Sequence, residues 1–92
     1  MRVHNLNGTS DSPAKYPYST WIGFWKAHTT KKMPNICPRC GQPLTDVVGA
    51  HVQKDAYYGD RRWYITPLCR GCNKSNTSFD VDPTYLVAEN QE

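Results

Sequence analysis

Two C-x-x-C pairs, Cys37-Pro38-Arg39-Cys40 and Cys69-Arg70-Gly71-Cys72, are the residues in this chain best spaced for chemistry. Each short loop can aim two sulfurs at one point, and four thiolates converging in this way make a tetrahedral zinc site with bonds of about 2.3 Å. Gly41 follows the first pair and Gly71 lies inside the second, where a backbone without Cβ can curl its N–H groups toward sulfur. The pattern points to a structural zinc held by Cys37, Cys40, Cys69 and Cys72. Disulfides or a redox dithiol are the competing uses of the same residues. Met1 to Pro13 contain no apolar stretch of the kind a secretory leader needs, so the expected compartment is the reducing cytoplasm.

An ion is also what a chain of this size needs. With 92 residues, 38% of them hydrophobic, one domain with a modest core is expected. A structural zinc contributes roughly 10 to 16 kcal/mol of apparent binding energy in small peptides, comparable with the whole stability of an ordinary domain. No stretch approaches the apolar length of a membrane span. The charge is uneven: residues 1–79 hold all eleven Lys and Arg against four acids, a surplus of seven, while residues 80–92 hold Asp80, Asp82, Glu89 and Glu92 and no base. A basic body suits a polyanionic partner, although a small soluble protein needs net charge in any case.

The elements that must position the cysteines follow from local pattern. Residues 1–17, with Asn7-Gly8, Ser12-Pro13 and Tyr16-Pro17 as turn signals, read as a flexible polar arm ahead of a single zinc domain over 18–92. Ser19 offers an N-cap for a helix within 19–29, on which Trp21, Trp25 and His28 share a face. That aromatic stripe suits a hydrophobic lid over the zinc core or a base-stacking platform. Leu44 to Val52 and Arg61 to Thr66 read as two strands of a hairpin, with Tyr57 to Asp60 in the bend and Pro67 ending the second strand. A helix is expected to begin at the second cysteine pair, and Asp82-Pro83 to start a further short segment ending near Asn90. An acidic segment at 80–92 closes the chain.

The run from Ile36 to Thr77, nearly half the chain, resembles the HNH endonuclease motif, a ββα-metal fold often braced by a four-cysteine zinc. A cysteine pair, a strand with Gly49-Ala50-His51-Val52, the return Tyr64-Ile65-Thr66-Pro67-Leu68-Cys69 and the Cys72-Asn73 helix start carry the likeness. It implies an α+β, treble-clef type domain of residues 36–78 with an extra N-terminal helix. It also implies His51 as the general base activating water against a phosphodiester and Asn73 as a ligand of a catalytic Mg²⁺ or Mn²⁺. The chain departs from the motif at Tyr64, where the family has Asn, at Ala50, where it has a metal-binding Asp or His, and at Thr77. A Mg²⁺-type ion wants oxygen donors in octahedral array, and a His base without its metal adds only about 10² to 10⁴ in rate. His51 therefore reads as a retained base, as a hydrogen-bonding residue of the hairpin or as an auxiliary zinc ligand, and His4 and His28 as structural or surface residues.

Nucleic-acid contact does not require catalysis. Arg61, Arg62, Arg70 and Lys74, with Arg39, could form one phosphate-facing surface within the zinc module, interleaved with Tyr57, Tyr58, Trp63 and Tyr64. Arg39 and Arg70 have a second reading, as bases that offset an anionic zinc–thiolate centre. The expected function is nucleic-acid binding, DNA foremost, by a catalytically weakened or inactive relative of HNH nucleases. The alternatives are a working metal-dependent endonuclease and a protein-interaction adaptor whose zinc is purely structural.

Overall fold

β2 (Val47–Lys54) and β3 (Trp63–Cys69) form the antiparallel centre of the fold, in register from Val47 opposite Cys69 to Gln53 opposite Trp63. The computed structural model describes residues 1–6, 18–55, 59–74 and 77–89. Its architecture is α+β, mostly sheet: five antiparallel strands in the order β4 (Phe79–Asp80), β1 (Arg2–Asn5), β2, β3 and β5 (Val87–Ala88), with little helix. The expected hairpin is present, but both strands end later than the β-branched stretches that signalled them.

Pro67 does not end β3. It lies inside the strand, opposite Gly49, and is fully buried. A proline is tolerated in a strand only where no ladder donor is required. The carbonyl of Trp63 accepts from the Glu89 amide on the β5 side of β3, and the two-residue period turns Pro67 the same way. β5 (Val87–Ala88) reaches only Tyr64 and Ile65, so beyond it the missing N–H of Pro67 leaves no partner unmet.

Residues 2–5, expected within the arm, form β1 (Arg2–Asn5) instead, between β2 and β4 (Phe79–Asp80). Val3 is fully buried. Four residues are too few to show a period, and these are held by ladders on both sides rather than by propensity. The remainder of the arm at 7–17, the bend residues Tyr57 and Tyr58, and the end of the acidic segment at 90–92 lie outside the described residues.

The two faces of the sheet serve different ends. Val3, Ala50, Val52, Tyr64 and Leu68 share one core cluster with Cys37, Cys72, Phe79 and Val81. Ile65 and Val87 face the other way, against α1 (Trp21–His28) and its Trp21, Phe24 and Trp25. α1 is capped by Thr20, whose Oγ1 accepts from the Gly23 amide at 3.1 Å, rather than by Ser19. Its buried face runs through Phe24 instead of His28, which is exposed and stacks on Phe24 at a ring distance of 4.3 Å. The Trp25 indole donates to the Tyr85 carbonyl at 2.7 Å. A Cβ on Gly49 would stand 2.6 Å from backbone atoms of Trp21 and Ile22, so the close seat of α1 on β2 depends on that glycine. The Asp82-Pro83 start signal is used for a single 3-10 turn, Pro83–Tyr85, with the Asp82 side chain accepting from the Thr84 amide. The chain then enters β5. Among the described residues no helix is long and apolar enough to cross a membrane.

Candidate metal centre

The first cysteine pair sits on a reversal of the chain between Asn35 and Leu44. The Leu44 amide donates to the Asn35 carbonyl at 3.0 Å, Ile36 bridges Pro43, and the Cys37 amide donates to the Gln42 carbonyl at 2.8 Å. The Gly41 amide closes the turn onto the Cys37 carbonyl at 2.9 Å with φ at +72°, a conformation open to glycine at little cost. Gly71 meets no comparable demand: it lies in α2 (Arg70–Asn73) without positive φ and with no atom near the Cβ it lacks. At Gly41 the missing Cβ serves a left-handed turn whose amide goes to a carbonyl rather than to sulfur, and at Gly71 the reason read from the sequence has no counterpart.

The second pair uses the corner where β3 becomes α2. Cys69 is the last residue of β3 and caps α2, while Cys72 lies within the helix and is buried. All four sulfurs fall within 4.8 Å of one another, with Cys40 and Cys69 at 3.9 Å. A tetrahedral ion with bonds of about 2.3 Å requires sulfur–sulfur edges of about 3.8 Å, so the cluster fits a metal ion such as zinc after slight contraction. The four cysteines are free thiols, unequally covered: Cys37 and Cys72 are buried, Cys69 is partly exposed and Cys40 is exposed.

Electrostatics around the sulfurs differ in the same way. Burial pushes the Cys37 thiol up, but backbone amides of Cys69, Cys40 and Arg39 outweigh it and bring the group down to about 7. Burial, reinforced by the Cys69 thiol, pushes Cys72 up to about 12. Metal binding removes protons from such thiols, and the amides at Cys37 already favour the thiolate. Arg39 reaches across from the knuckle to Cys72 Sγ at 3.7 Å and Thr77 Oγ1 at 2.7 Å, placing a guanidinium against a centre that is anionic when filled by a divalent ion. Asn5 Nδ2 donates to the Cys72 carbonyl at 2.9 Å, tying β1 to α2.

His51 lies elsewhere. Its ring is buried on the α1 face, 4.5 Å from the Trp21 ring and 5.9 Å from Trp63. Cys72 and α2, which carries Asn73, pack on the opposite face. The structure therefore does not bring His51 and Asn73 together. Burial holds the His51 imidazole below its ordinary value, partly opposed by the charge of Glu89, so it is neutral at pH 7. The remaining motif positions are used structurally: Ala50 fills the core, Thr77 accepts from Arg39, and the Tyr64 hydroxyl donates to Asp60.

The expected cationic surface is partly spent on internal pairs. Arg62 binds Asp60 through Nε and Nη2, Lys54 reaches the same carboxylate at 3.0 Å, and Arg70 makes a two-point contact with Asp46. The Arg62 guanidinium, then the Tyr64 hydroxyl, hold Asp60 well below the usual carboxylate range, and the Arg70 guanidinium lowers Asp46. Arg61 and Lys74 make no ion pair among the described residues, and neither do Lys26, Lys31 and Lys32. The roles of Asn5 and Asp60 were missed from sequence, since each depends on a partner brought up by the sheet or the bend. No protein family, curated protein or solved structure matches this chain.

Proposed function

We propose that this chain is a zinc-stabilised, HNH-like module of treble-clef type that holds nucleic acid, DNA foremost, without cutting it. The carrying observation is the convergence of four sulfurs from a knuckle and a strand-to-helix corner within 4.8 Å. Four thiolates fill a tetrahedral shell and leave no position for a water, which makes the ion structural rather than hydrolytic. Free thiols in this use suit a reducing compartment such as the cytoplasm.

Three features favour binding over cleavage. His51 is 4% exposed between two indoles, where it cannot meet a water and a phosphodiester together. Asn73, the other residue the motif assigns to catalysis, follows Cys72, whose side chain belongs to the cluster on the other face of the sheet. Arg61, Lys74, Lys26, Lys31 and Lys32 make no ion pair among the described residues, and such cations release counterions on meeting phosphate.

Mobility shifts with duplex and single-stranded DNA over a salt series test the reading. The expected result is binding that weakens linearly in log affinity against log salt, with the slope falling by about 0.9 for each phosphate-contacting base replaced by alanine. Plasmid incubated with the protein and Mg²⁺ or Mn²⁺ is expected to stay supercoiled. Nicking that disappears in His51→Ala would establish an endonuclease, and absence of binding to DNA or RNA at low salt would favour a protein partner.

A further inference from the structure

The four sulfurs are unequal in one respect that a structural zinc site does not need. Cys37 and Cys72 are 1% and 7% exposed, inside the core cluster, whereas Cys40 is exposed and Cys69 partly so. The two accessible sulfurs are neighbours at 3.9 Å, one from each cysteine pair. We propose that Cys40 and Cys69 form an oxidation site, at which a peroxide converts the zinc clasp into a disulfide clasp. The inference rests on the zinc reading of the cluster and extends it to the chemistry of individual sulfurs.

The step balances with hydrogen peroxide as oxidant. The Cys40 thiolate attacks one peroxide oxygen, the O–O bond breaks, and hydroxide leaves to give a sulfenic acid. The Cys69 thiolate then attacks the Cys40 sulfur, the S–S bond forms, the S–O bond breaks, and a second hydroxide leaves. Both hydroxides take protons from solvent, so two electrons pass from the thiolate pair to one peroxide, which ends as two waters. Zinc held there would lose two of its four ligands and leave as the divalent ion, and Cys37 and Cys72 would take up protons from solvent as free thiols. Access selects the site: oxidation follows thiolate character and exposure together, and with zinc bound all four sulfurs are thiolates, which leaves exposure to decide.

The choice of pair has a structural consequence. A bond within either C-x-x-C pair would join residues only three positions apart and release the knuckle from the sheet. Cys40 and Cys69 are 29 positions apart, and a bond between them holds the knuckle on the end of β3 as the metal did. The oxidised, metal-free protein therefore stays folded where the reduced, metal-free protein does not.

Trypsin makes the test direct, because cleavage after Lys32, Arg39, Lys54, Arg62, Arg70 and Lys74 puts each cysteine on its own peptide. The zinc-loaded protein is titrated with hydrogen peroxide, zinc release is followed with a chromophoric chelator, and samples are alkylated, digested and weighed. Expected is one zinc released per disulfide, the peptides 40–54 and 63–70 joined, and 33–39 and 71–74 alkylated. The product should keep a dispersed NMR spectrum in excess chelator and lose it on adding a thiol reductant. Joining of Cys37 to Cys40 or Cys69 to Cys72, oxidation that stops at sulfinic acid, or release of zinc ahead of any cross-link overturns the inference and leaves the zinc domain standing. A chain that takes up no zinc fails both.

Discussion

The imidazole of His51 and the indole of Trp21 lie edge to face, 4.5 Å between centroids, on the side of the sheet away from Cys72. One residue of β2 thus faces a helix lid while its neighbours Ala50 and Val52 face the core that holds Cys37 and Cys72. The relationship makes His51 a packing residue and gives its protonation a cost.

That cost has a sign. The folded-state pKa of His51 lies below its ordinary value of 6.5 through burial, so between the two values the unfolded chain binds more protons and stability rises with pH. The contribution is whole above about pH 6.5 and is lost as pH drops through the folded value. Protonation of cysteine also releases metal in acid, so wild type is compared with His51→Phe, which keeps the aromatic contact without the charge. The variant should lose less stability between pH 7.5 and 5, and an NMR titration of the His51 ring should give a midpoint below 6.5. A midpoint above 6.5 would show a solvated or carboxylate-paired imidazole instead.

Metal removal should be decisive for the fold. One zinc per chain is expected by mass spectrometry under native conditions, and a chelator with reductant should collapse the dispersed spectrum, as loss of roughly 10 to 16 kcal/mol of binding energy exceeds the stability of a small domain. Cys37→Ser and Cys72→Ser should reproduce the collapse in the presence of zinc. An unchanged spectrum after stripping would mean that the strands hold without the ion.

Gly49→Ala tests the seat of α1. A methyl group there meets backbone of Trp21 and Ile22 at 2.6 Å, and backbone cannot swing aside as a flexible side chain can. Overpacking of this kind costs about 1–3 kcal/mol. Chemical denaturation should show the loss, with chemical-shift changes concentrated on 20–28 and 47–52 and the sulfur cluster little altered.

Trp25→Ala removes the largest fully buried side chain and its bond to the Tyr85 carbonyl. A loss of about 3–5 kcal/mol is expected, read by thermal or denaturant unfolding of the zinc-loaded protein. Trp25→Phe should recover part of the packing while leaving that carbonyl unpaired. A Trp25→Ala protein as stable as wild type would mean that α1 is dispensable to the core.

Short-range chemistry was legible in the sequence. Cysteine spacing named the four residues that cluster, because a C-x-x-C loop leaves its sulfurs few places to go. Asp82-Pro83 marked a cap and the β-branched stretches a hairpin, since each depends on a few neighbouring dihedrals. What the tertiary structure decided was everything set by a distant partner. Residues 2–5 became a strand because β2 and β4 flank them, Pro67 was admitted to β3 because β5 stops short, and Asp60 drew in Arg62, Lys54 and Tyr64 that the sequence alone left unpaired. The face of His51 belongs to the same class: adjacent side chains on a strand point opposite ways, and only the positions of α1 and α2 on the two faces say which side is lid and which holds the cysteines.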